Sequence, residues 1–294
     1  MSTELTTIAN ERGQSLADLM GISTGGSTSQ ASPNLSRVGM IHQPVMGEVD
    51  FNGKKIKTEV LPIGTYTVTR GEEVVYATEL RIRIFAMRQQ WTRWNSDTNE
   101  MEKSVLANNL NGDLKDNIGG FNLGRPSGYI EDFNALPDRT KQIIRSVKRT
   151  KVVYGLLSID NPKDANGNDL TTEYTDIPFV FDVKNQNSIK NIDAAVKKIT
   201  GKNMLPIMCE LVLSSKEGSI PTGAKFGFVD ASLGNVCDIS PDDNDTMRNF
   251  LEVIEYTNGK ILDLHAERCG SGLTKEDEAM VKDILDNDFV DVDE

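Results

Sequence analysis

Cysteine, histidine and tryptophan are scarce in this chain, and each shortage removes a class of function. Cys209, Cys237 and Cys269 are too few and too scattered for a disulfide framework, which agrees with a reducing compartment. The only two histidines, His42 and His265, leave little material for His-based catalysis. His265 and Cys269 fall at i and i+4 on an expected helix, half of a metal site at most, with Cys209 or Cys237 the distant candidates for the rest. Neither a metal nor a cofactor is expected. Also absent are the G-x-x-x-x-G-K-[ST] phosphate loop, a G-x-G-x-x-G fingerprint after a strand, H-E-x-x-H, the G-x-S-x-G elbow and any C-x-x-C pair. No apolar run approaches the roughly 18 residues of a membrane span, and MSTELTTIANERG lacks the basic start and apolar stretch of a secretory signal. The expected location is the cytoplasm, without a membrane partner.

Aromatic residues make up only 6% of the chain, yet both tryptophans stand in one stretch, RIRIFAMRQQWTRW, with four arginines and a phenylalanine. The formal net charge is -12, but it is unevenly spread. Residues 1 to 45 carry 2 basic and 3 acidic groups, residues 46 to 155 carry 17 and 14, residues 156 to 239 carry 8 and 11, and residues 240 to 294 carry 5 and 16. The negative charge is therefore C-terminal, and the block that holds the tryptophans is mildly basic. An acidic average does not exclude a nucleic-acid partner under those conditions.

The organisation follows from local patterns. Residues 1 to 45 read as a flexible arm, in which QSLADLM has the spacing of a short helix and GISTGGSTSQASPN cannot build a core. Residues 46 to 105 alternate between strand-like runs and turns: VDFNGKKIKTEVL, GTYTVTR, VTRGEEVVY, VVYATELRIRIFAM, and a hairpin in WTRWNSDTNEMEKSVLA. PDRTKQIIRSVKR predicts a helix with Pro137 in its first turn, followed by the strands TKVVYGLLSID and IPFVFDV. NSIKNIDAAVKKIT is an amphipathic helix, and IMCELVLSSKEG with AKFGFVDASLGNV is a strand pair. SPDDND opens a further helix through TMRNFLEVIEYTNGKILDLHAERCG, with a break expected at Asn258-Gly259, and LTKEDEAMVKDIL is the last helix. The fold class is α+β and β-rich: an oligonucleotide-binding (OB) type Greek-key barrel over residues 46 to 240, C-terminal helices over 241 to 284, and a tail over 285 to 294.

If residues 79 to 94 form one strand, Leu80, Ile82, Ile84 and Ala86 face a core, while Arg81, Arg83, Phe85 and Met87 share the opposite face, continuing into Gln89, Trp91 and Arg93. Guanidinium groups interleaved with rings suit single-stranded nucleic acid, whose bases are free to stack; a duplex hides those faces. Arg88 and Trp94 belong to the same stretch. GGFNLGRPSGYIEDF adds Phe121, Arg125 and Tyr129 in a Gly-rich loop with the composition of a flexible clamp, and KRTK adds Lys148, Arg149 and Lys151.

The terminal segment DILDNDFVDVDE places Asp283, Asp286, Asp288, Asp291, Asp293 and Glu294 around Phe289 and Val290. Such a tail can occupy a cationic groove or present its apolar residues to partner proteins. A basic-aromatic β domain followed by an acidic tail resembles the single-stranded-DNA-binding proteins of replication, those of bacteriophages in particular. The resemblance implies a nonenzymatic protein that binds and protects single-stranded DNA in replication or recombination. Its tail, Asp286, Asp288, Phe289, Asp291, Asp293 and Glu294, would gate the site or recruit replication or recombination proteins; for a phage protein the compartment is the host cytoplasm. The chain departs from that family at its end, where Phe289 is followed by VDVDE rather than standing terminal, and it lacks a zinc-binding insertion. Two other classes compete: a virion or scaffold protein, and a metal-dependent nucleic-acid enzyme drawing on the many carboxylates.

Overall fold

The protein is described from a computed structural model over residues 35–51 and 54–270. The expected helices at 14–20 and 273–285, the Asn52-Gly53 turn and the acidic tail lie outside the described residues.

Eleven strands and three helices alternate along the described chain: β1 Ser36–Met40, β2 Val45–Phe51, β3 Lys54–Leu61, β4 Tyr66–Arg70, β5 Glu73–Ala77, β6 Leu80–Asn95, β7 Glu100–Lys103, α1 Asp138–Ser146, β8 Lys148–Ile159, β9 Tyr174–Val183, α2 Gln186–Thr200, β10 Cys209–Ser219, β11 Lys225–Val236 and α3 Pro241–Gly270. Strands β2 and β3 form a separate ribbon. The rest build one mixed, open sheet in the order β11-β10-β6-β8-β9-β1-β4-β5, with β7 beside the end of β6. All its ladders are antiparallel except that between β1 and β9. The closed barrel ladder expected for an OB-type domain is not formed among the described residues. Four strands separate β4 from β10 in the order, yet Tyr66 on β4 donates its hydroxyl hydrogen to Ser214 O on β10 at 2.7 Å. The sheet therefore curls until its flanks touch through side chains, without a backbone seam.

Curling creates two unequal cores. The inner face gathers Tyr66, Leu80, Ile82, Phe179, Leu211, Leu213 and Val229, and α2 closes it with Ile189, Ile192, Ala195 and Ile199, the stripe its sequence spacing requires. Asn185 caps α2 by accepting from the N–H groups of Asn187 and Ser188 at 2.9 and 3.2 Å. On the outer face, Phe250, Val253 and Ile254 of α3 pack against Phe85, Ala86, Val152 and Tyr154. Burying a ring such as Phe250 stabilises the docked helix by roughly 2–3 kcal/mol. These contacts redraw the sequence boundaries: β1, assigned to the arm, pairs with both β4 and β9, and α3 is a layer of the sheet domain.

α3 starts where the sequence places it, and the reason is a reciprocal cap. Asp243 N donates to Ser240 Oγ at 3.3 Å, Ser240 N donates to Asp243 Oδ2 at 2.8 Å, and Pro241 takes the first helical position. The break expected at Asn258-Gly259 does not occur. Asn258 reaches sideways instead: its Oδ1 accepts from Leu106 N at 2.7 Å, and its Nδ2 donates to Leu106 O at 3.0 Å. A residue that reads as a helix breaker is thus a peptide clamp between α3 and the 104–107 segment. Asn258→Ala should lower unfolding stability by about 2 kcal/mol, because two backbone groups lose their partners together. Chemical denaturation with a leucine variant as control checks this, and a change under about 0.5 kcal/mol would contradict it.

Candidate nucleic-acid interface

Strand β6 carries the basic-aromatic stretch, and one bulge decides where its side chains go. Ile84 pairs with Gly155 and Ala86 with Tyr154, so Phe85 is an extra residue in the ladder. Gly155 permits it, since a Cβ there would sit 1.9 Å from Arg83 O. Up to Ile84 the even-numbered residues face the inner core; beyond the bulge Met87 joins that core and Ala86 turns to α3. A simple alternation cannot show this switch.

Arg83 and Phe85 of the expected binding face consequently lie beneath α3. Phe85 is 6% exposed and packs on Phe250, with ring centroids 5.7 Å apart. Arg83 covers the Phe85 ring, donates to Ile207 O, and forms a two-point ion pair with Asp243 at 3.0 and 3.3 Å. Burial alone would raise the Asp243 carboxyl, but hydrogen bonds from Arg83 and the Ser240 N–H outweigh it and hold the group below the usual carboxylate range. Arg81 is held by Asp160 at 2.5 and 2.9 Å and by Glu210 at 3.2 Å. Arg93 is committed to Glu102 at 2.6 Å, and Lys151, 6% exposed, to Asp193. Arg81, Arg83, Phe85, Arg93 and Lys151 are therefore engaged within the protein in this arrangement. The sequence placed Arg81, Arg83, Phe85 and Arg93 on an open face, and counted Lys151 in a charge cluster, because it does not show which carboxylates and which helix cover them.

What remains converges on a cleft of about 370 Å³ whose walls include Gln89, Trp91, Asn109, Asn111, Arg125 and Arg149. The Arg125 guanidinium lies 4.7 Å from the Trp91 ring centroid, and its single hydrogen bond among the described residues is a long one to Ile144 O at 3.5 Å. Burial lowers the Arg125 pKa from its ordinary value, yet a guanidinium stays charged. Arg149 approaches Asp193 only at 3.8 Å, and its Nε is buried without a partner. Because Asp193 also serves Lys151, two cations share that one carboxylate, and Arg125 has no carboxylate within ion-pairing distance among the described residues. The cleft thus keeps a positive excess and unused N–H donors beside an aromatic ring.

Other expected residues fall around or away from it. Tyr129 follows the lining residue Gly128 and is 92% exposed. Trp94 is exposed further along β6. Arg88 shares the α3 face with Val152 and turns back to Met87 O at 2.9 Å, and Lys148 alternates away from Arg149, donating to Arg145 O. Phe121 belongs to a neighbouring cleft. There the expected flexible clamp is pinned in its first half: the Asp116 carboxylate accepts from the N–H groups of Ile118, Gly120 and Leu123 at 3.2, 2.8 and 2.8 Å. His265 Nδ1 lies 3.1 Å from Asp116 O, which only accepts, so that nitrogen carries the proton. Among the described residues no group of three or more His, Cys, Asp or Glu side chains is placed to hold a metal ion, and no helix is long and apolar enough to cross a membrane. The sequence reading missed Asn109, Asn111 and Arg139; the amide-rich run NNLNGD at 108–113 was the available signal for the first two.

No protein-family model, curated protein or solved structure matches this chain significantly.

Proposed function

We propose that this chain binds single-stranded DNA, in the service of replication or recombination, through the cleft at Trp91. The observation that carries the reading is the Arg125 guanidinium laid on Trp91 in a cleft with surplus positive charge. A ring and a guanidinium plane both accept a stacked base, while the open donors of Arg125 and Arg149 suit phosphate oxygens. Stacking on a ring or a guanidinium plane needs an uncovered base face, which a single strand offers and a duplex hides, and this favours single strands over duplex. Tyr129 on the adjoining loop is free to extend the stacking. Within this reading the acidic tail competes for the same cations, so a chain ending at Ile284 binds more tightly at low salt.

Fluorescence anisotropy of a labelled oligothymidine, roughly 30 nucleotides long, tests the proposal against a duplex control. Trp91→Ala should weaken binding by roughly 5- to 150-fold, the worth of one stacked base at about 1–3 kcal/mol. Arg125→Ala combined with Arg149→Ala should flatten the salt dependence by about 1.4 in log–log slope, about 0.7 for each phosphate contact on a single strand. The proposal fails if wild-type protein does not bind at low salt, or if Trp91→Ala binds as wild type does.

A further inference from the structure

Beside the Trp91 cleft lies a larger one, about 770 Å³, lined by Phe121, Ile118, Ile143, Arg139 and Arg268 among others. We infer that it is a second base-binding subsite on the same track, so that a bound single strand occupies both clefts in succession. This rests on the reading that the Trp91 cleft binds single-stranded DNA.

The two clefts share their dividing wall. On β6, Trp91 lines the first and Arg93 the second; on the 121–128 segment, Arg125 lines the first and Gly124 the second. Two residues along a strand advance about 7 Å, a distance one nucleotide can bridge. Gly124 is exposed, adopts φ +78° and presents no side chain to obstruct a strand crossing the wall.

The chemistry repeats that of the first cleft with different parts. Phe121 is 48% exposed, and its other contact, an edge approach to His265 at 5.6 Å, orients the ring and leaves much of it open. Ile118 and Ile143 add apolar lining. Arg139, exposed on α1, has no carboxylate within ion-pairing distance among the described residues. Arg93 contributes no comparable free charge, being committed to Glu102, and Arg268 donates to Asn117 O at 2.8 Å. One open ring, an apolar lining and one uncommitted guanidinium are the requirements of a stacked base with its phosphate. Rigidity supports the assignment. The three hydrogen bonds to Asp116 fix the backbone that carries Phe121, and Gly119, at φ +85°, packs so closely on Arg268 that a Cβ would lie 2.9 Å from its carbonyl carbon. Such a site pays little ordering entropy on binding.

Anisotropy titrations with oligothymidines of roughly 3 and roughly 12 nucleotides read the number of subsites. Phe121→Ala should leave affinity for the short ligand within about twofold and weaken the long one by roughly tenfold. Arg139→Glu, on an exposed helix position, should reproduce the length-selective loss, and thermal melts of both variants establish that the fold is intact. Trp91→Ala should weaken both lengths. The inference is overturned if Phe121→Ala and Arg139→Glu act equally on both lengths or on neither, while Trp91→Ala still weakens binding. Failure of wild type to bind either length, or indifference of both lengths to Trp91→Ala, removes the proposed function itself and this inference with it.

Discussion

Asp116→Ala should destabilise the protein by on the order of 4 kcal/mol, out of proportion to the loss of one small side chain. The carboxylate is fully buried and accepts from three backbone N–H groups, of Ile118, Gly120 and Leu123. Alanine leaves three donors without partners, each costing about 1–3 kcal/mol where water cannot reach. The damage should spread locally. The 116–124 segment positions Phe121, leads directly into Arg125, and meets α3 through His265 and Arg268. Asp116→Asn is the informative companion, because its amide keeps one acceptor oxygen but turns an NH2 group toward the same donors; it should be damaging too, though less so than alanine. Urea unfolding followed by Trp fluorescence reads both, and a loss under about 1 kcal/mol for alanine would mean that the segment holds its shape without the carboxylate.

Asp243→Ala should cost about 3–5 kcal/mol, since it strands a largely buried Arg83 guanidinium and removes half of the α3 cap. Replacing both members, with Arg83→Met added to Asp243→Ala, should recover part of the loss, because an apolar pair asks for no desolvated charge. A double variant as unstable as Asp243→Ala alone would assign the cost to the cap. The pair also sets an acid sensitivity. The Asp243 carboxyl is held below its ordinary range in the folded protein, so its contribution is complete above the unfolded carboxyl pKa of about 3.9 and disappears as pH falls through the folded value. Wild-type stability relative to Asp243→Asn should hence be constant near neutrality and narrow below about pH 4. Denaturation series at pH 7 and pH 3 measure that difference, and an unchanged gap would remove Asp243 from the acid response.

Much of the secondary structure was legible because it is written in short-range terms. Ile189, Ile192, Ala195 and Ile199 recur at helical spacing and are buried as a stripe; Ser240, Pro241 and Asp243 spell a helix start and form one. The turn at Gly71, with φ +61°, joins the hairpin that VTRGEEVVY requires. Asn258-Gly259 misled for the converse reason. A helix-breaking pair is a local statement, and it was overruled by a pair of hydrogen bonds to Leu106, 152 residues away.

The site was legible as an inventory and illegible as a place. By itself the sequence determined that arginines and the chain's two tryptophans meet on one strand, that a basic block contrasts with an acidic end, and that local elements alternate as an α+β chain. Tertiary structure alone decided which of those cations remain available. Arg81, Arg83 and Lys151 found carboxylates on distant elements, Phe85 was turned under α3 by a bulge that Gly155 accommodates, and Arg125 was brought from a loop onto Trp91. The physical reason is range: alternation and capping act between neighbours along the chain, whereas pairing of charges and covering of faces depend on which distant segments the folded sheet brings together.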